Sequence, residues 1–377
     1  MGMILILFGN PDYSGANRYA CDYASELAKQ HEVVAAVVDL DNAYELVSAL
    51  RRIDRLLVIP GASLGRLTSR AGLDVVNFLI IKRPMLMLSF LQVDLKVLAA
   101  LHILTGTPFI YFAQNKTVFH GNWIIKNLKE VFFNFLLSQF VGATVACSNE
   151  VANEVSRRVK PVAKIENGLL NTVADLPRTA SQPGVITIVN CARLDEQKGQ
   201  VALIEAVSRL RSQGCIARLI LVGDVSPTDP FGKYKRRIQE AIRRLDADSW
   251  VELPGWSSDV GPILAAADIY AQPSLWEGKS LAVLEALSYG LPVVYSDCAG
   301  TFTGFEHPPL AFVYQTGDSI ALFEALSAAV KMIRSPDAAE ISESRKVLVR
   351  KIHGAASARE KFRRIAAHFD QIPAGIV

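Results

Sequence analysis

Two short stretches in the second half of the sequence carry the residue types expected of a site for a phosphorylated ligand. In the first, Arg193 and Lys198 stand five residues apart, directly after an apolar run that ends near Asn190. A guanidinium group can bind two phosphate oxygens at once and an ammonium group acts as a compact point charge, so the pair could neutralise a diphosphate. The same charges would stabilise a diphosphate that departs as an anion during a reaction.

The second stretch, residues 272–294, places two carboxylates around a predicted helix start. Ser280 is a good N-cap, and the backbone N–H groups of residues 279–281 would bind an anion. Glu277 precedes these groups, and Glu285 follows eight residues after Glu277. Carboxylates repel phosphate, so the pair makes sense as hydrogen-bond acceptors for hydroxyl groups on either side of it. A sugar nucleotide has that arrangement, with sugar hydroxyls at one end and ribose hydroxyls at the other.

The elements that must position these stretches alternate between short β-rich runs and helical ones. We predict strands over residues 4–8, 33–38, 55–59, 85–89, 108–112 and 144–146, and then over 185–190, 218–222, 251–253, 268–272 and 292–295. Helices are predicted over residues 17–30, 200–213, 233–245, 262–266 and 280–289. This alternation is typical of parallel sheets with helices on both faces, whose ligands bind outside the carboxyl ends of the strands.

Length and composition favour two domains. The 377 residues are 50% hydrophobic and 20% charged, which excludes a disordered chain and exceeds what one ordinary core accommodates. Residues 171–184 contain two prolines and no apolar periodicity, so we interpret them as a linker. We therefore predict an α/β fold of two doubly wound, Rossmann-like domains that face each other across a cleft. The predicted domains cover residues 1–175 and 184–340, and residues 341–377 form a helical segment whose packing against the first domain is one interpretation.

Net charge and cysteine spacing limit the classes of binding partner and the cellular compartment that we expect. Forty basic residues against 37 acidic ones give a net charge of +3, which argues against nucleic acid as a partner. Five widely spaced cysteines without a C-x-x-C pattern indicate neither a disulfide framework nor a zinc site. The first apolar run is short and lacks a basic region before it, and Gly106 and Pro108 interrupt the longest uncharged stretch. We therefore predict a cytoplasmic protein without a signal peptide or a membrane span.

The segment Trp123–Phe140 has two interpretations. Lys126 and Lys129 stand beside a wide apolar face, as in helices that lie on a membrane, and this would place the protein in peripheral contact with the inner membrane surface. Apolar residues almost all round the helix favour a core helix instead, and burial is the interpretation we prefer.

The end of the chain carries a basic segment. Residues 345–364 hold eight basic residues and a single acid, Glu360. We expect a solvated helical face here. Contact with an anionic surface or with the opposite domain is the alternative.

Taken in chain order, these patterns resemble the retaining GT-B glycosyltransferases of family 4. The resemblance is carried by R-x4-K-G from Arg193, by LILVG at residues 219–223, and by E-G-x-S-L-x-x-x-E-A-x-x-x-G-x-P-V from Glu277. The first half matches more loosely, through the loop at residues 10–15 and the pattern CSNEVANEV…IENG over residues 147–168. The pair of glutamates corresponds to the E-x7-E pattern of that family.

The resemblance implies a role for each matching residue. It implies that Glu277 contacts the hydroxyls of the donor sugar, that Glu285 contacts the ribose, and that Arg193 and Lys198 bind the diphosphate. Gly15 would line the phosphates from the first domain. The remaining implied contacts are Gly278, Lys279, Ser280 and Leu281 around the phosphates, and Gly255 and Trp256 at the nucleotide base.

The acceptor side departs from the family pattern. Many relatives carry a histidine at the end of the strand that corresponds to residues 108–112, whereas this chain has Gln114 and Asn115 there. His120 lies a few residues further on. Either His120 substitutes for the family histidine, or Gln114 or Asn115 supplies the polar contact.

Two other ligand classes are disfavoured. Asp39 and Asp41 match a D-x-D metal pattern, but acids commonly end strands in this way, and we expect no metal. The loop after the first strand reads GNPDYSG rather than G-x-G-x-x-G, so the dinucleotide fingerprint is missing and no cofactor is expected.

We therefore predict a metal-independent, retaining hexosyltransferase. It would move a sugar from a UDP- or GDP-sugar to a hydroxyl of a saccharide or lipid-linked saccharide, in cell-envelope polysaccharide or glycolipid biosynthesis. The alternatives are a nucleotide-sugar 2-epimerase of the same fold and a sugar-nucleotide-binding protein without turnover. Release of nucleoside diphosphate only when an acceptor is supplied would separate the three.

Overall fold

Every strand that the sequence predicts is present, in one of two separate sheets. The structure is a computed structural model that describes residues 2–9, 15–38, 44–50, 53, 55–59, 77–115, 123–157, 162–169, 179, 183–225, 229, 231–299 and 302–361. The chain divides into two units, one comprising Met1–Leu170 with Arg359–Val377 and the other Asn171–Ala358. Most of the predicted linker at residues 171–184 lies outside the described residues.

The first unit contains a parallel sheet of short, mostly apolar strands. Within the described ranges its strands are β1 (Met3–Phe8), β2 (Glu32–Val38), β3 (Arg55–Ile59), β4 (Leu86–Ser89), β5 (Phe109–Ala113), β6 (Ala143–Ala146) and β7 (Val162–Lys164). They pair in the order β3-β2-β1-β4-β5-β6-β7. The helices between them are α1 (Gly15–Leu27), α2 (Tyr44–Ala49), α3 (77–82), α4 (Leu95–Thr105), α5 (Trp123–Phe140) and α6 (Asn149–Ser156).

The second unit repeats the scheme with a smaller sheet. The strands here are β8 (Ile186–Cys191), β9 (Ala217–Val222), β10 (Val251–Gly255), β11 (Ile269–Gln272), β12 (Val293–Ser296) and β13 (Phe312–Tyr314), and they pair in the order β10-β9-β8-β11-β12-β13. The helices are α7 (Gln200–Ser212), α8 (Lys233–Arg244), α9 (Gly261–Ala265), α10 (Leu281–Ser288), α11 (Ser319–Ile333) and α12 (Ala338–His353). The short strands β7 and β13 are the two that the sequence does not predict.

Strand order confirms the predicted class of two doubly wound α/β domains. In each unit the chain starts in the middle of the sheet, builds outward to one edge, and then crosses back to continue on the other side of the first strand. The reversal lies between β1 and β4 in the first sheet and between β8 and β11 in the second. Loops that leave the carboxyl ends of strands on either side of such a reversal diverge, which opens a crevice for a ligand.

The preference for α5 as a core helix is wrong. Only Phe133, Leu136 and Leu137 of this helix are buried, and residues 123–129 are all exposed. A helix that packs on a sheet buries only the side that faces the strands. The apolar residues on the remaining surface of α5 are therefore left at the protein surface.

The basic segment near the end of the chain is also only partly the solvated face that we expect. Arg345 on α12 is 1% exposed, and its Nε donates to the Leu310 carbonyl at 2.8 Å and its Nη1 to the Gly290 carbonyl at 3.2 Å. His353 is fully buried, with Nε2 3.0 Å from the Thr303 carbonyl. Arg345 and His353 therefore tie α12 to loops of the second unit, because buried carbonyl groups need donors.

Candidate functional site

The two stretches that the sequence singles out leave neighbouring strands at the reversal of the second sheet. β8 precedes the loop with Arg193 and Lys198, and β11 precedes the turn with Glu277. The strands pair directly, with Ile269 opposite Ile188. Since both strands point the same way, their loops emerge at the same edge of the sheet, as the sequence predicts.

Hydrogen bonds join the β8 loop to the β11 turn. The Leu275 N–H donates to the Gln197 carbonyl at 2.7 Å, and the Gln197 side-chain amide donates to the Trp276 carbonyl at 2.8 Å. Gln197 is buried, so these bonds are shielded from water. The β8 loop and the β11 turn therefore form one hydrogen-bonded unit rather than two independent segments.

Gly199 allows the β8 loop to approach the β11 turn closely. Its φ is +69°, and a Cβ atom at this position would lie 2.1 Å from the Pro273 carbonyl oxygen. A side chain is excluded by both the left-handed backbone and the contact. The glycine in the R-x4-K-G pattern thus has a packing reason that is independent of any ligand.

Glu277 is held by three donors on one carboxylate oxygen. Its Oε1 forms an ion pair with Lys198 Nζ and accepts hydrogen bonds from Ser274 Oγ at 3.1 Å and from Gln272 Nε2 at 3.3 Å. The Lys198 and Glu277 side chains are only 14% and 12% exposed, so the pair is largely removed from solvent. Among the described residues no group donates to Oε2 of Glu277. The carboxylate is therefore fixed in orientation while one oxygen remains as an acceptor.

A buried network behind Glu277 sets the orientation of the Gln272 amide. The Tyr270 hydroxyl donates to Gln272 Oε1 at 2.6 Å, and Gln272 Nε2 donates to Ser274 Oγ at 2.9 Å. Burial raises the pKa of Tyr270 well above its usual value, reinforced by Cys191 and by the two glutamates, so the phenol stays a donor. The sequence patterns predict no role for Tyr270, Gln272 and Ser274. The polar residues at the end of an otherwise apolar strand were the signal that pointed to them.

Helix α10 begins at the predicted position. Ser280 is its N-cap, with extended backbone angles and no side-chain capping bond, and Leu281 is its first residue. Gly278 and Lys279 are buried, and Lys279 Nζ lies 4.4 Å from the centroid of the Phe302 ring. The ammonium group is thus stabilised by an aromatic face at the start of the helix.

Glu285 lies inside α10 and is 5% exposed. Its negative charge contributes to raising the pKa of Cys191 to about 12, after burial as the main cause, and also acts on Tyr270. Glu285 therefore faces the carboxyl ends of β8 and β11, the same region that Glu277 occupies. The structure brings both predicted carboxylates to the strand reversal.

Arg193 follows β8 and is partly exposed. Its carbonyl accepts a hydrogen bond from Gln200 Nε2 at 2.8 Å, which fixes the backbone of the loop against the start of α7. Asn190 at the end of β8 donates to the Ala271 carbonyl at 2.7 Å, so the ends of β8 and β11 are also joined by a buried side chain. The backbone that carries the Arg193 side chain is therefore fixed by hydrogen bonds.

The acids of the β8 loop are accounted for by the fold. Glu196 is exposed and pairs with Arg237 at 2.8 Å. Asp195 is half-buried and accepts from the Gln197 N–H at 3.0 Å, which caps the turn Glu196–Lys198. In the part of the chain that the structure describes, no group of three His, Cys, Asp or Glu residues is placed to hold a metal ion.

Gly255 ends β10, the outermost strand on one side of the sheet, and Trp256 follows it. The Gly255 carbonyl accepts from the Gly223 N–H at 2.8 Å, and the Trp256 side chain is 52% exposed. β10 is separated from β8 by β9 in the sheet. The indole is therefore an exposed aromatic surface. It lies at the carboxyl ends of the strands, as the β8 loop does, and is two strands away from that loop.

The remaining residues predicted to bind ligands belong to the first unit. Gly15 starts α1 and is exposed, and Gln114 and Asn115 follow β5 and are half-buried. The Gln114 side-chain oxygen accepts from Asn167 Nδ2 at 2.8 Å, so this amide is engaged within the first unit. His120, Asp39 and Asp41 lie outside the described residues.

Asp94 is a buried carboxyl group at the reversal of the first sheet that the sequence does not reveal. It is fully buried and accepts from Ser89 Oγ at 2.9 Å, at the carboxyl end of β4. Burial raises its pKa to about 8, although the bonds from Ser89 and from the Gly9 backbone partly oppose this. No pattern in the sequence distinguishes this aspartate from an exposed one.

A family model matches part of the chain. Residues 185–332 match the family model described as "Glycosyl transferases group 1". This range contains the β8 loop, the β11 turn and helix α10. The match therefore covers the candidate site of the second unit.

Curated relatives match part of this chain. The putative colanic acid biosynthesis glycosyltransferase WcaL of Escherichia coli K12 is 30% identical over 40% of this chain and 38% of its own length. A UDP-Gal:alpha-D-GlcNAc-diphosphoundecaprenol alpha-1,3-galactosyltransferase of Escherichia coli is 39% identical over 38% of this chain and 35% of its own. Across such relatives, the chain matches between 25% and 40% of their length.

A solved structure covers the whole fold. Anabaena Alr3699/HepE in complex with UDP and glucose superposes with a TM-score of 0.80 over 99% of this chain and 100% of that chain, at 19% identity. At this identity the likeness concerns the fold, which is GT-B. None of the described helices is both long and apolar enough to cross a membrane.

Proposed function

We propose that this protein is a retaining, metal-independent glycosyltransferase that uses a UDP-sugar as donor. The acceptor is a hydroxyl group of a saccharide or of a lipid-linked saccharide, in polysaccharide or glycolipid synthesis. The observation that carries the proposal is the joined β8 loop and β11 turn, with Lys198 paired to Glu277 at the strand reversal. The family match over residues 185–332 supports the same reaction class.

The diphosphate is assigned to the cations around this unit. Arg193 offers a two-point contact from a fixed loop, and Lys198 offers a point charge beside Glu277. The backbone N–H groups at the start of α10, near Lys279 and Ser280, add the positive end of the helix dipole. Together they would stabilise the charge that develops as the bond between the sugar and the phosphate breaks.

The sugar and the ribose are assigned to the two glutamates. Oε2 of Glu277 is the acceptor for a hydroxyl of the donor sugar, since Oε1 already accepts from three donors. Glu285 accepts from the ribose, Gly278 and Leu281 lie along the phosphates, and Gly15 lines them from the first unit. Gly255 and Trp256 take the base, for which the exposed indole offers a stacking surface.

Two further assignments concern the acceptor and the donor base. On the acceptor side the candidates are His120, Gln114 and Asn115, and the side-chain oxygen of Gln114 already bonds Asn167. UDP is favoured over GDP because UDP is bound in the Anabaena neighbour and a UDP-sugar is named for the galactosyltransferase relative. None of the five cysteines forms a disulfide, which fits a cytoplasmic location.

Thermal unfolding with added nucleotide tests the donor. UDP at 100 times its dissociation constant should stabilise the fold by about 2.7 kcal/mol, whereas GDP at the same concentration should give a small shift. Turnover is then measured as UDP released from UDP-glucose or UDP-galactose in the presence of alkyl glycosides, with the product anomer read by NMR. Stabilisation by neither nucleotide would refute the proposal, and UDP release without dependence on an acceptor would refute transfer.

A further inference from the structure

The described helices of the first unit leave a large apolar surface uncovered. We call this surface the α4–α5 face and define it by side chains that are each at least 43% exposed: Ile103, Leu104, Trp123, Ile124, Ile125, Leu128, Val131, Phe132 and Phe135. Leu128 and Val131 are 64% and 67% exposed. At roughly 200 Å² per large side chain, about half of it accessible, the face presents on the order of 1,000 Å² of apolar surface. Single patches on monomeric proteins rarely exceed about 600 Å².

The two helices of the face contact each other and pack on one core of the first sheet. The buried residues of α4 and α5 belong to the same core cluster, which includes Leu101, Phe133 and Leu137. Ring contacts run along the outside, from His102 to Phe140 at 6.2 Å and from Phe140 to Phe135 at 5.8 Å. Helix α3 contributes Leu79 to this cluster and exposes Ile80 and Ile81 on its other side. Three helices thus expose apolar residues away from one shared core.

Exposed apolar residues are not spread in this way over the second unit. The large hydrophobic side chains exposed among its described residues are Ile216, Phe231, Trp256, Leu275, Ile320 and Val347, each on a different loop or helix. Isolated residues of this kind are normal on a protein surface. The clustering of exposed apolar side chains on α4 and α5 therefore distinguishes this face from the rest of the described surface.

The charges around the face are almost all positive. Between residues 77 and 140, the described cationic side chains are Lys82, Arg83, Lys96, Lys126 and Lys129, and all five are exposed. Of the described acids in that range, Asp94 is fully buried and Glu130 is half-buried. An apolar surface bordered by lysines is complementary to a bilayer that contains anionic lipids, because the lysine stems reach along the apolar region to the headgroups.

We propose that the α4–α5 face docks this protein on the surface of an anionic lipid bilayer. Helix α5 lies along the surface, with Trp123, Leu128 and Val131 inserted at the level between headgroups and acyl chains. Lys129, one helical turn from the exposed Ile125 and Phe132, and Lys82 contact the lipid headgroups. This inference does not depend on the proposed function, since vesicle binding requires no sugar transfer.

Vesicle sedimentation tests this docking directly. The full chain is spun with vesicles of phosphatidylcholine alone and with vesicles that contain roughly 30% phosphatidylglycerol, whose negative surface potential attracts basic residues. We expect at least tenfold stronger partition onto the anionic vesicles and loss of this difference in high salt. Leu128→Gln with Val131→Gln should weaken binding at least tenfold. Lys129→Gln and Lys82→Gln should each weaken it about fivefold.

A matched control separates docking from general stickiness. Ile216→Gln with Ile320→Gln changes side chains of the second unit that are 59% and 56% exposed, and this variant should bind as the wild type does. All four apolar positions are at the surface, so the variants should fold, which circular dichroism checks. Wild-type protein that stays in the supernatant, or equal binding by the Leu128/Val131 variant, would overturn the proposal. So would a dimer in vesicle-free buffer that this variant converts to a monomer, because a second copy would then cover the face.

Discussion

At the scale of single residues, Lys198 has two roles, one in the fold and one in the proposed reaction. In the structure it neutralises the buried Glu277, and in the proposed reaction it also faces the diphosphate. A group that is already desolvated and held in place interacts with a ligand charge more strongly than one that is solvated. The assignment of Lys198 and Arg193 to the diphosphate therefore leads to the first prediction.

We expect Arg193→Ala and Lys198→Ala each to lower kcat by roughly 10²-fold, the usual scale for the loss of one charge-stabilising group. Steady-state transfer assays measure this. Arg244→Ala is the control, since Arg244 pairs with Glu205 on the surface and neither residue belongs to the β8 loop. If both site variants kept normal turnover with an intact fold, the diphosphate assignment would be wrong.

The two glutamates should differ in what they bind. Glu285→Ala should weaken UDP binding, because the ribose is common to donor and product. Glu277→Ala should lower transfer and leave UDP affinity nearly unchanged, because the sugar is present only in the donor. Isothermal titration with plain UDP distinguishes the variants, and equal loss of UDP affinity in both contradicts the division of roles.

Asp94 predicts a pH dependence of stability. Its pKa is raised to about 8 in the fold, so the native state holds a proton that the unfolded chain loses near pH 4. The stabilising contribution is complete below about pH 4 and is lost as the pH rises to about 8. Asp94→Asn retains a neutral side chain, so its Tm should exceed that of the wild type increasingly between pH 5 and pH 8.

Melting curves across this pH range test the prediction, with the exposed Asp248→Asn as the control. The control should follow the wild-type curve. A parallel pH dependence in the Asp94→Asn variant would mean that this carboxyl group is ionised in the native state at neutral pH.

At the scale of elements, the close contact between the β8 loop and the β11 turn depends on Gly199. Gly199→Ala should cost at least about 2 kcal/mol, from the strained backbone and from the contact with the Pro273 carbonyl. Gly214→Ala is the matched control, since its φ is +84° and no atom lies within 4 Å of a Cβ there. It should lose only the backbone contribution of about 1 kcal/mol. Urea unfolding measures both, and equal losses would show that the approach to Pro273 is not the limiting contact.

Helix α5 shows how an element can satisfy the fold with a minority of its residues. Phe133, Leu136 and Leu137 are enough to attach it to the sheet. The first two turns make no contribution to the core, which leaves their composition free to serve another surface. This is the structural reason that the α4–α5 face can be altered without unfolding the protein.

At the scale of the whole molecule, the net charge of +3 conceals an uneven distribution. The exposed charges of α3, α4 and α5 are largely basic, while many charges of the second unit pair with each other, as Lys235 does with Asp224. A nearly balanced total therefore does not exclude a locally basic surface.

The proposed metal independence gives a prediction for the whole protein. Fixed cations and a helix start meet the diphosphate charge in the proposed mechanism, so transfer should survive EDTA. A metal-dependent enzyme needs oxygen ligands around the diphosphate, whereas Glu196 pairs with Arg237 and Asp195 caps its turn. Transfer is measured with and without EDTA and after addition of Mg²⁺ or Mn²⁺. Loss with EDTA and recovery with metal would reopen Asp39 and Asp41 as ligands.

The sequence by itself determined the strands other than β7 and β13, the doubly wound class, and the two stretches that meet at the second reversal. Apolar runs and helix signals are local, and parallel strands bring the loops that follow them to one edge, so neither inference needed side-chain geometry. Tertiary structure alone decided the network of Tyr270, Gln272 and Ser274, the burial of Asp94, and the exposure of α5. Each depends on which surfaces the rest of the fold covers, and this cannot be inferred from residue type and spacing.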